Sequence, residues 1–468
     1  MRFPMERLAL MRRIPKRNGN HGNHGKLEVV PWPGLSKRLP RLVRRLRPET
    51  MKAQIFSVFL ILALASGALF GEPSGLLERV KPEEAGMDPR KLQLVDQKMG
   101  ELIERDRLSG GIVVVARKGR VVHFGTYGLR DREAGLPVEK DTIFRIYSMT
   151  KAITSVAALM LEEEGKLGLE DPLSEFFPSL KKMKVWKDGS LVDPKREATV
   201  ADLLRHTSGL TYGWQAIPEI GQAHRKAGVL DRDKALVPMM NGIDRIPLLF
   251  DPGSDWVYGC STDVLGGVVE VASGMPFDRF LKERILEPLG MKDTDFYVPA
   301  DKVGRFAANY NYKDGKLTLK DDPKTSRYLE NPTFKSGGGG LCSTASDYMR
   351  FLLMIANGGK FEGQRYLKKK SVKLMTTDQI PKGGGWVTFG KQIREGVGFG
   401  HGFSVRVKMS DWDPDGRVGE YGWGGAASTH YWISPKDDLV VLTLEQVMPY
   451  SFNTEWALKG LIYDALVE

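Results

Sequence analysis

Apolar and polar positions repeat with two different periods along this chain. Over residues 92–106, LQLVDQKMGELIERD, apolar side chains recur every three or four positions, which predicts an amphipathic helix. The following stretch, GIVVVARKGRVVHFGTYG (111–128), changes to two β-rich runs around Lys118-Gly119, the pattern of a hairpin. A helix from about 149 to 164 contains AITSVAALML, apolar on every side and therefore expected in a core, with Gly165 as its C-terminal stop. Between about 166 and 335 the texture turns to short helices and loops rich in Pro, Gly and Asp. Two clearer helices stand there, 261–273, with Ser261 as N-cap and Gly274 beyond it, and about 276–289, ending at Gly290. Past the glycine run SGGGGL (336–341), Ser343-Thr344 precede a helix near 344–356. The last third is strand-like, in GFGHGFSVRV, THYWIS and LVVLTLEQV, with SPKDD as the turn between the last two and a final helix at about 454–467.

A hairpin near the start, strands near the end and helices on both sides predict an α/β protein of the α+β kind. One antiparallel sheet, flanked by helices, is built from both chain ends, and the mostly helical region at about 166–335 is inserted into it. The 468 residues, 41% of them hydrophobic, supply a large core and exclude disorder as the default reading.

Net charge changes the picture only at the N-terminus. Of the formal +11, residues 1–50 carry +10 (thirteen Lys and Arg against three Asp and Glu), so the body is nearly neutral and a nucleic-acid partner is not expected. Met51-Lys52 and the apolar run IFSVFLILALASGALF read as a signal peptide over 51–71, with small residues suited to cleavage after Ala65 or Ala68. Met51 would itself serve as a start, which makes residues 1–50 a basic leader or an over-long reading of the gene. The expected location is periplasmic or secreted, without stable membrane insertion after cleavage; a single membrane anchor is the alternative, although the run is short for a span. The working domain then covers 76–468. The two cysteines, Cys260 and Cys342, are too few for a disulfide-framed scaffold and match no zinc spacing; whether they pair is left open.

The candidate chemistry begins at Ser148-Met149-Thr150-Lys151. Cations are disfavoured in the first turn of a helix, where the positive end of the macrodipole lies, so helix stability does not account for Lys151. Positions i and i+3 share one face, which puts the amine one turn from the Ser148 hydroxyl. The same field and the apolar surroundings suit an uncharged, proton-accepting amine. The plain alternative is a lysine that reaches solvent from the helix end. A second match to S-x-x-K, Ser179 to Lys182, lies in a polar, lysine-rich stretch that a solvated loop explains. Two other segments add to the first. FDPGSDWVYGCSTDVLGG places Tyr258 in the loop before the helix at Ser261, and GEYGWGGAASTHYWIS places Trp423-Gly424-Gly425-Ala426 at a strand, where small residues let a substrate approach backbone N–H groups.

In these segments the chain resembles the serine β-lactamase-related family, which includes class C β-lactamases, D-alanyl-D-alanine carboxypeptidases and family VIII carboxylesterases. The resemblance runs in order from about residue 76 to 468 through PEEAGMDPRKL, YSMTK, LLRHTSGL (203–210), YGCSTDVLG, GGLCSTASDYMRF and WGG. It implies the β-lactamase/DD-peptidase-like fold, Ser148 as nucleophile, Lys151 and Tyr258 as the proton-transfer pair, and the N–H groups of Ser148 and Ala426 as oxyanion hole. Cys260 stands where the lactamases carry the Asn of Y-x-N, and Trp423-Gly424-Gly425 stands in place of K-T-G. The loss of that amide and that cation implies neutral ester substrates and the esterase-like branch, with no metal or organic cofactor. Trp423, Gly424, Gly425, Ala426 and Cys260 are thus the implied substrate-binding positions. A D,D-peptidase or β-lactamase of the same fold, or a non-catalytic cell-wall-binding relative, are the competing readings.

Other signals explain themselves more simply. His206 and His401 are the best-placed histidines for a Ser-His-Asp arrangement, but no G-x-S-x-G elbow accompanies them, and they read as structural or pocket-lining. DWDPDG (411–416) imitates a calcium loop whose twelfth position, Gly422, lacks the required Glu; a polar hairpin turn is expected instead. GGGG (337–340) lacks the Lys-Ser/Thr of a phosphate loop and reads as a flexible connector beside the cleft.

Overall fold

The computed structural model describes residues 77, 79–389 and 392–467. The expected leader (1–50) and signal peptide (51–71) lie outside the described residues. Among the described residues no helix is long and apolar enough to cross a membrane.

Eight antiparallel strands form the main sheet. Three come from the N-terminal part: β1 (Gly110–Arg117), β2 (Arg120–Asp131) and β3 (Leu136–Pro137). Five come from the C-terminal part: β4 (Val397–Phe399), β5 (Ser404–Arg406), β6 (Tyr421–Gly425), β7 (Thr429–Ser434) and β8 (Leu439–Glu445). The order across the sheet is β4-β5-β6-β7-β8-β1-β2-β3, so the two chain ends meet at the β8–β1 pair, in register from Gly111 opposite Glu445 to Arg117 opposite Leu439. Both predicted turns form: Lys118 and Gly119 adopt positive φ between β1 and β2, and a short helical turn at Pro435–Asp437 joins β7 to β8.

The two central strands are apolar without interruption because both faces are covered. Ile112, Val114 and Ala116 of β1, with Val440, Leu442 and Leu444 of β8, enter the larger core, whereas Val113, Val115, Leu439 and Val441 enter a second one. That alternation is the period-2 pleat of a strand buried on both sides. The second core is closed by α1 (Leu94–Glu104) and the C-terminal helix α5 (Asn453–Asp464). The larger core holds α2 (Thr150–Glu163), whose residues 150–161 are all buried, together with α3 (Ser261–Ser273) and α4 (Ala345–Ala356).

The inserted region is less uniformly helical than its composition suggests. Two small hairpins occur in it, Val185–Lys187 with Ser190–Val192 and Asn309–Lys313 with Lys316–Asp321. The helix expected at 276–289 is a short one, Phe277–Leu281, continued by a wider-wound turn, Lys282–Leu286.

Candidate active site

The turn that carries Ser148 is fastened on three sides. Phe144 and Arg145 pair with Ser343 and Cys342, the Ile146 N–H donates to the Leu341 carbonyl (3.1 Å), and the Tyr348 hydroxyl donates to the Met149 carbonyl (2.8 Å). Tyr147, just before the serine, has φ 42°, a left-handed conformation that costs an ordinary side chain of order 1 kcal/mol or more. Its hydroxyl accepts from Asn309 Nδ2 (3.1 Å) and its ring meets the edge of Tyr328, contacts that hold the strained turn. Ser148 is half-buried in the short turn Tyr147–Met149 that leads into α2.

One turn on, Lys151 is 1% exposed, so it does not reach solvent from the helix end. Its Nζ lies 2.6 Å from the Gly338 carbonyl, 3.1 Å from Tyr212 Oη and 3.4 Å from Ser148 Oγ. Among the described residues no carboxylate is within ion-pair distance of it. The amine also sits over the Tyr258 ring, 4.6 Å from its centroid. An uncharged amine has two N–H groups and one lone pair, and three neighbours at these positions can use all of them: the carbonyl and Tyr212 as acceptors, the serine hydroxyl as donor.

Tyr258 stands beside the lysine with its ring packed on His206, Tyr212, Phe389 and Trp423, while its buried hydroxyl has no hydrogen-bond partner. The hydroxyl in contact with the lysine is instead that of Tyr212, two residues beyond LLRHTSGL. Burial pushes the Tyr212 phenol well above its ordinary range, so it remains a proton donor at any physiological pH. Trp214, 77% exposed, stacks on Tyr212 and continues the aromatic surface outward.

The glycine run is a buried clamp rather than a flexible connector. The Gly337 carbonyl accepts from Thr154 Oγ1 (2.8 Å), the Gly338 carbonyl from Lys151, and the Leu341 N–H donates to Thr150 Oγ1 (3.1 Å). On its other side the Gly338 N–H donates to Asp263 Oδ1 of α3 (3.1 Å). A Cβ on Gly337 would stand 2.6 Å from the Thr262 carbonyl, and one on Gly338 would collide with the Asp263 carboxylate. Glycine is needed because the segment passes between two helices at backbone contact.

Trp423 belongs to β6 and is buried against Tyr258, Phe389 and Phe399. Gly425 has no room for a Cβ beside the Ile146 carbonyl, so its missing side chain brings β6 against the Ser148 turn; Gly424 is similarly packed on Tyr450 and His430. Ala426, half-buried, follows the strand end. Cys260 is fully buried, and its thiol points to the Thr211 carbonyl (3.6 Å), a contact within the protein. Cys260 and Cys342 are both free.

The histidines are structural in their surroundings. His206 is packed among Trp256, Tyr258 and Phe399, and burial, then the nearby Lys151 charge, holds it well below the usual imidazole range. Burial brings His401 down to about 3. Three carboxylates close enough to share a metal, those of Asp413, Glu420 and Glu455, surround instead Lys459 Nζ, 2.8 Å from each. Asp413, expected in a polar turn, is thereby a buried ion-pair residue that also binds Arg406 (2.6 Å).

Comparison with known proteins agrees with this architecture. The profile of the beta-lactamase family matches residues 94–462. Protein Rv1367c of Mycobacterium tuberculosis is 36% identical over 358 residues, 75% of this chain and 88% of its own length. Esterase EstB of Burkholderia gladioli is 32% identical over 390 residues, 77% of this chain and 93% of its own. Among solved structures, EstCE1, a hydrolase with promiscuous acyltransferase activity, superimposes with a TM-score of 0.70 at 25% identity, covering 80% of this chain and 99% of that one.

Proposed function

Since this chain belongs to the beta-lactamase family and is a serine hydrolase, we propose that it cleaves or transfers the acyl group of small esters through an acyl-enzyme on Ser148. The observation that carries this reading is the buried Lys151 amine, 3.4 Å from Ser148 Oγ and without a carboxylate partner among the described residues. Lys151 takes the hydroxyl proton as Oγ bonds to the ester carbonyl carbon. The N–H groups of Ser148 and Ala426 receive the developing oxyanion, β6 being docked on the nucleophile turn at Gly425. The proton passes to the departing alkoxide, with the Tyr212 hydroxyl, in contact with the amine, and Tyr258, whose ring lies under it, as the phenols proposed to assist. Water, or a second alcohol, then releases the acyl group by the reverse sequence.

Ester substrates are favoured over peptides and lactams by the two departures at Cys260 and Trp423. A fully buried thiol offers no amide to an acylamino group, and a tryptophan packed among aromatic rings offers no cation to a carboxylate. The apolar run at 55–70 supports export of the mature domain; N-terminal sequencing of secreted protein should then begin after Ala65 or Ala68.

Incubation with a fluorophosphonate probe and with p-nitrophenyl acetate, alongside Ser148→Ala, tests the reading. Labelling and turnover should both vanish in the variant, and their survival would remove Ser148 from the mechanism. Cleavage of a β-lactam as fast as of the acetate ester would move the assignment to the lactamase branch.

A further inference from the structure

Asp263 is a carboxylate without an evident task. It is 1% exposed in the first turn of α3, and no cation lies within ion-pair distance of it among the described residues. Oδ1 accepts from Ser336 Oγ (2.5 Å) and from the Gly338 N–H (3.1 Å), while Oδ2 has no hydrogen-bond partner. A buried carboxyl oxygen left unpaired costs stability, and such groups recur where they serve a site. The residue that Asp263 holds by its N–H, Gly338, presents its carbonyl, in the next peptide group, to Lys151 Nζ at 2.6 Å. Gly338 has no side chain, so the carboxylate lies where its Cβ would be.

We propose that Asp263 is the positioning and charge-balancing residue of the Ser148–Lys151 pair, acting on the amine across the backbone of Gly338. This rests on the acyl-enzyme reading above. When the proton leaves Ser148 Oγ for Lys151 Nζ, an ammonium is created in a site that contains no contacting carboxylate. The Gly338 carbonyl accepts its hydrogen bond, and the carboxylate bound to the N–H of the same residue supplies the opposite charge. The proton later leaves with the alkoxide, and the amine is again neutral.

The other titratable groups facing the amine do not supply that charge. Tyr212 and Cys260 are kept protonated by burial, and His206 is kept neutral by burial. Tyr258 presents its ring. Arg394, packed on Trp423 beyond Tyr258, is itself positive. Burial is the larger influence and raises Asp263 above the usual carboxylate range; a positive charge at Lys151, then Ser336 and Gly338, oppose it, so the carboxylate is best stabilised when Lys151 is an ammonium.

Asp263→Asn tests it, because the amide can keep the hydrogen bond from Gly338 while losing the charge. With p-nitrophenyl acetate, kcat should fall by about tenfold or more with KM within about twofold, since the change touches proton transfer and not binding. Removing a negative charge makes the amine a weaker base that stays unprotonated further into acid, so the acid limb of kcat/KM should move to lower pH. The rate of fluorophosphonate labelling should show the same displacement, and as a rate constant it does not depend on how much of the preparation is folded. An acid limb that stays in place, or a raised KM with kcat intact, would overturn the proposal. If the asparagine variant does not fold, Gly338→Ala serves instead, since its methyl must push the carboxylate aside: a displacement in the same direction supports the proposal and a wild-type profile overturns it. Activity surviving in Ser148→Ala would remove the underlying reading, whereas activity lost there and unaltered in Asp263→Asn would remove only this one.

Discussion

Two lysines lie equally deep in this molecule, each 1% exposed, in opposite surroundings. Lys459 of α5 touches three carboxylates, Asp413, Glu420 and Glu455, each at 2.8 Å. Burial works against its charge, and the three acids outweigh it and raise the amine above its usual range, so it remains an ammonium. Lys151 touches a carbonyl, two hydroxyls and an aromatic face. Fold stability explains the first site: the cation fills a space that three acids would otherwise make repulsive. It does not explain the second, where the nearest groups can exchange hydrogen bonds and protons but cannot neutralise a charge by contact. Depth of burial therefore says little about what a lysine does; the atoms within hydrogen-bond distance say more.

Exchanging each lysine for methionine breaks the comparison most sharply. Lys151→Met should lower esterase kcat by about a thousandfold or more, through loss of the proton acceptor, while the urea midpoint stays near that of the wild type. Lys459→Met should do the reverse: about 3–5 kcal/mol of stability lost as three acids are left facing one another, with turnover per folded molecule retained. Equal loss of stability in the two variants would erase the distinction.

The neighbours of Lys151 sharpen it next. Tyr212→Phe and Tyr258→Phe should each lower kcat by about tenfold to a hundredfold, with circular dichroism unaltered, if both hydroxyls assist proton movement. A rate unaffected by Tyr212→Phe would leave Tyr258 as the sole phenolic partner. The last effect concerns an acid that has no lysine at all, and it is seen only as a slope with pH. Glu445 is buried with one donor, Thr454 Oγ1 (2.7 Å), and burial pushes it up to about 8. Between pH 5 and 8 its folded form holds a proton that the unfolded form has released, so stability falls as pH rises across that window, by at most about 3–4 kcal/mol. Glu445→Gln should flatten this slope in urea midpoints measured at pH 5 and 8, whereas the same slope in variant and wild type would place the titration elsewhere.

Much of this was readable before any coordinates, for physical reasons that differ between elements. Strands β1 and β8 announced themselves because a strand covered on both faces must be apolar throughout, and α2 because a helix in a core has no polar side. The hairpin at 309–321 escaped, since NYNYK and KLTLKD mix polar residues on partly exposed strands; its Asp314-Gly315 turn, both residues at positive φ, was the available signal. The Ser148–Lys151 pair was legible because helix geometry places i and i+3 together. Tyr212 reaches the same amine from 61 residues away along loops, which no period encodes, although it stands just past the quoted LLRHTSGL segment. The Gly338 carbonyl has no side chain to read, and Asp263 looks in the sequence like an ordinary first-turn helix acid. Likewise Asp413 was hidden in a turn-like DWDPDG, because its partner Lys459 lies 46 positions away.

The meeting of the two chain ends at the β1–β8 pair also governs how the polypeptide must be made. The first hairpin leaves the ribosome more than 300 residues before its partner strand, Leu439–Glu445, with IVVV presenting an unpaired edge. Until β8 has been made that edge is open to other chains, and a premature stop codon ahead of residue 439 would leave it so permanently. Such truncated products should be recovered as aggregates rather than as smaller enzymes.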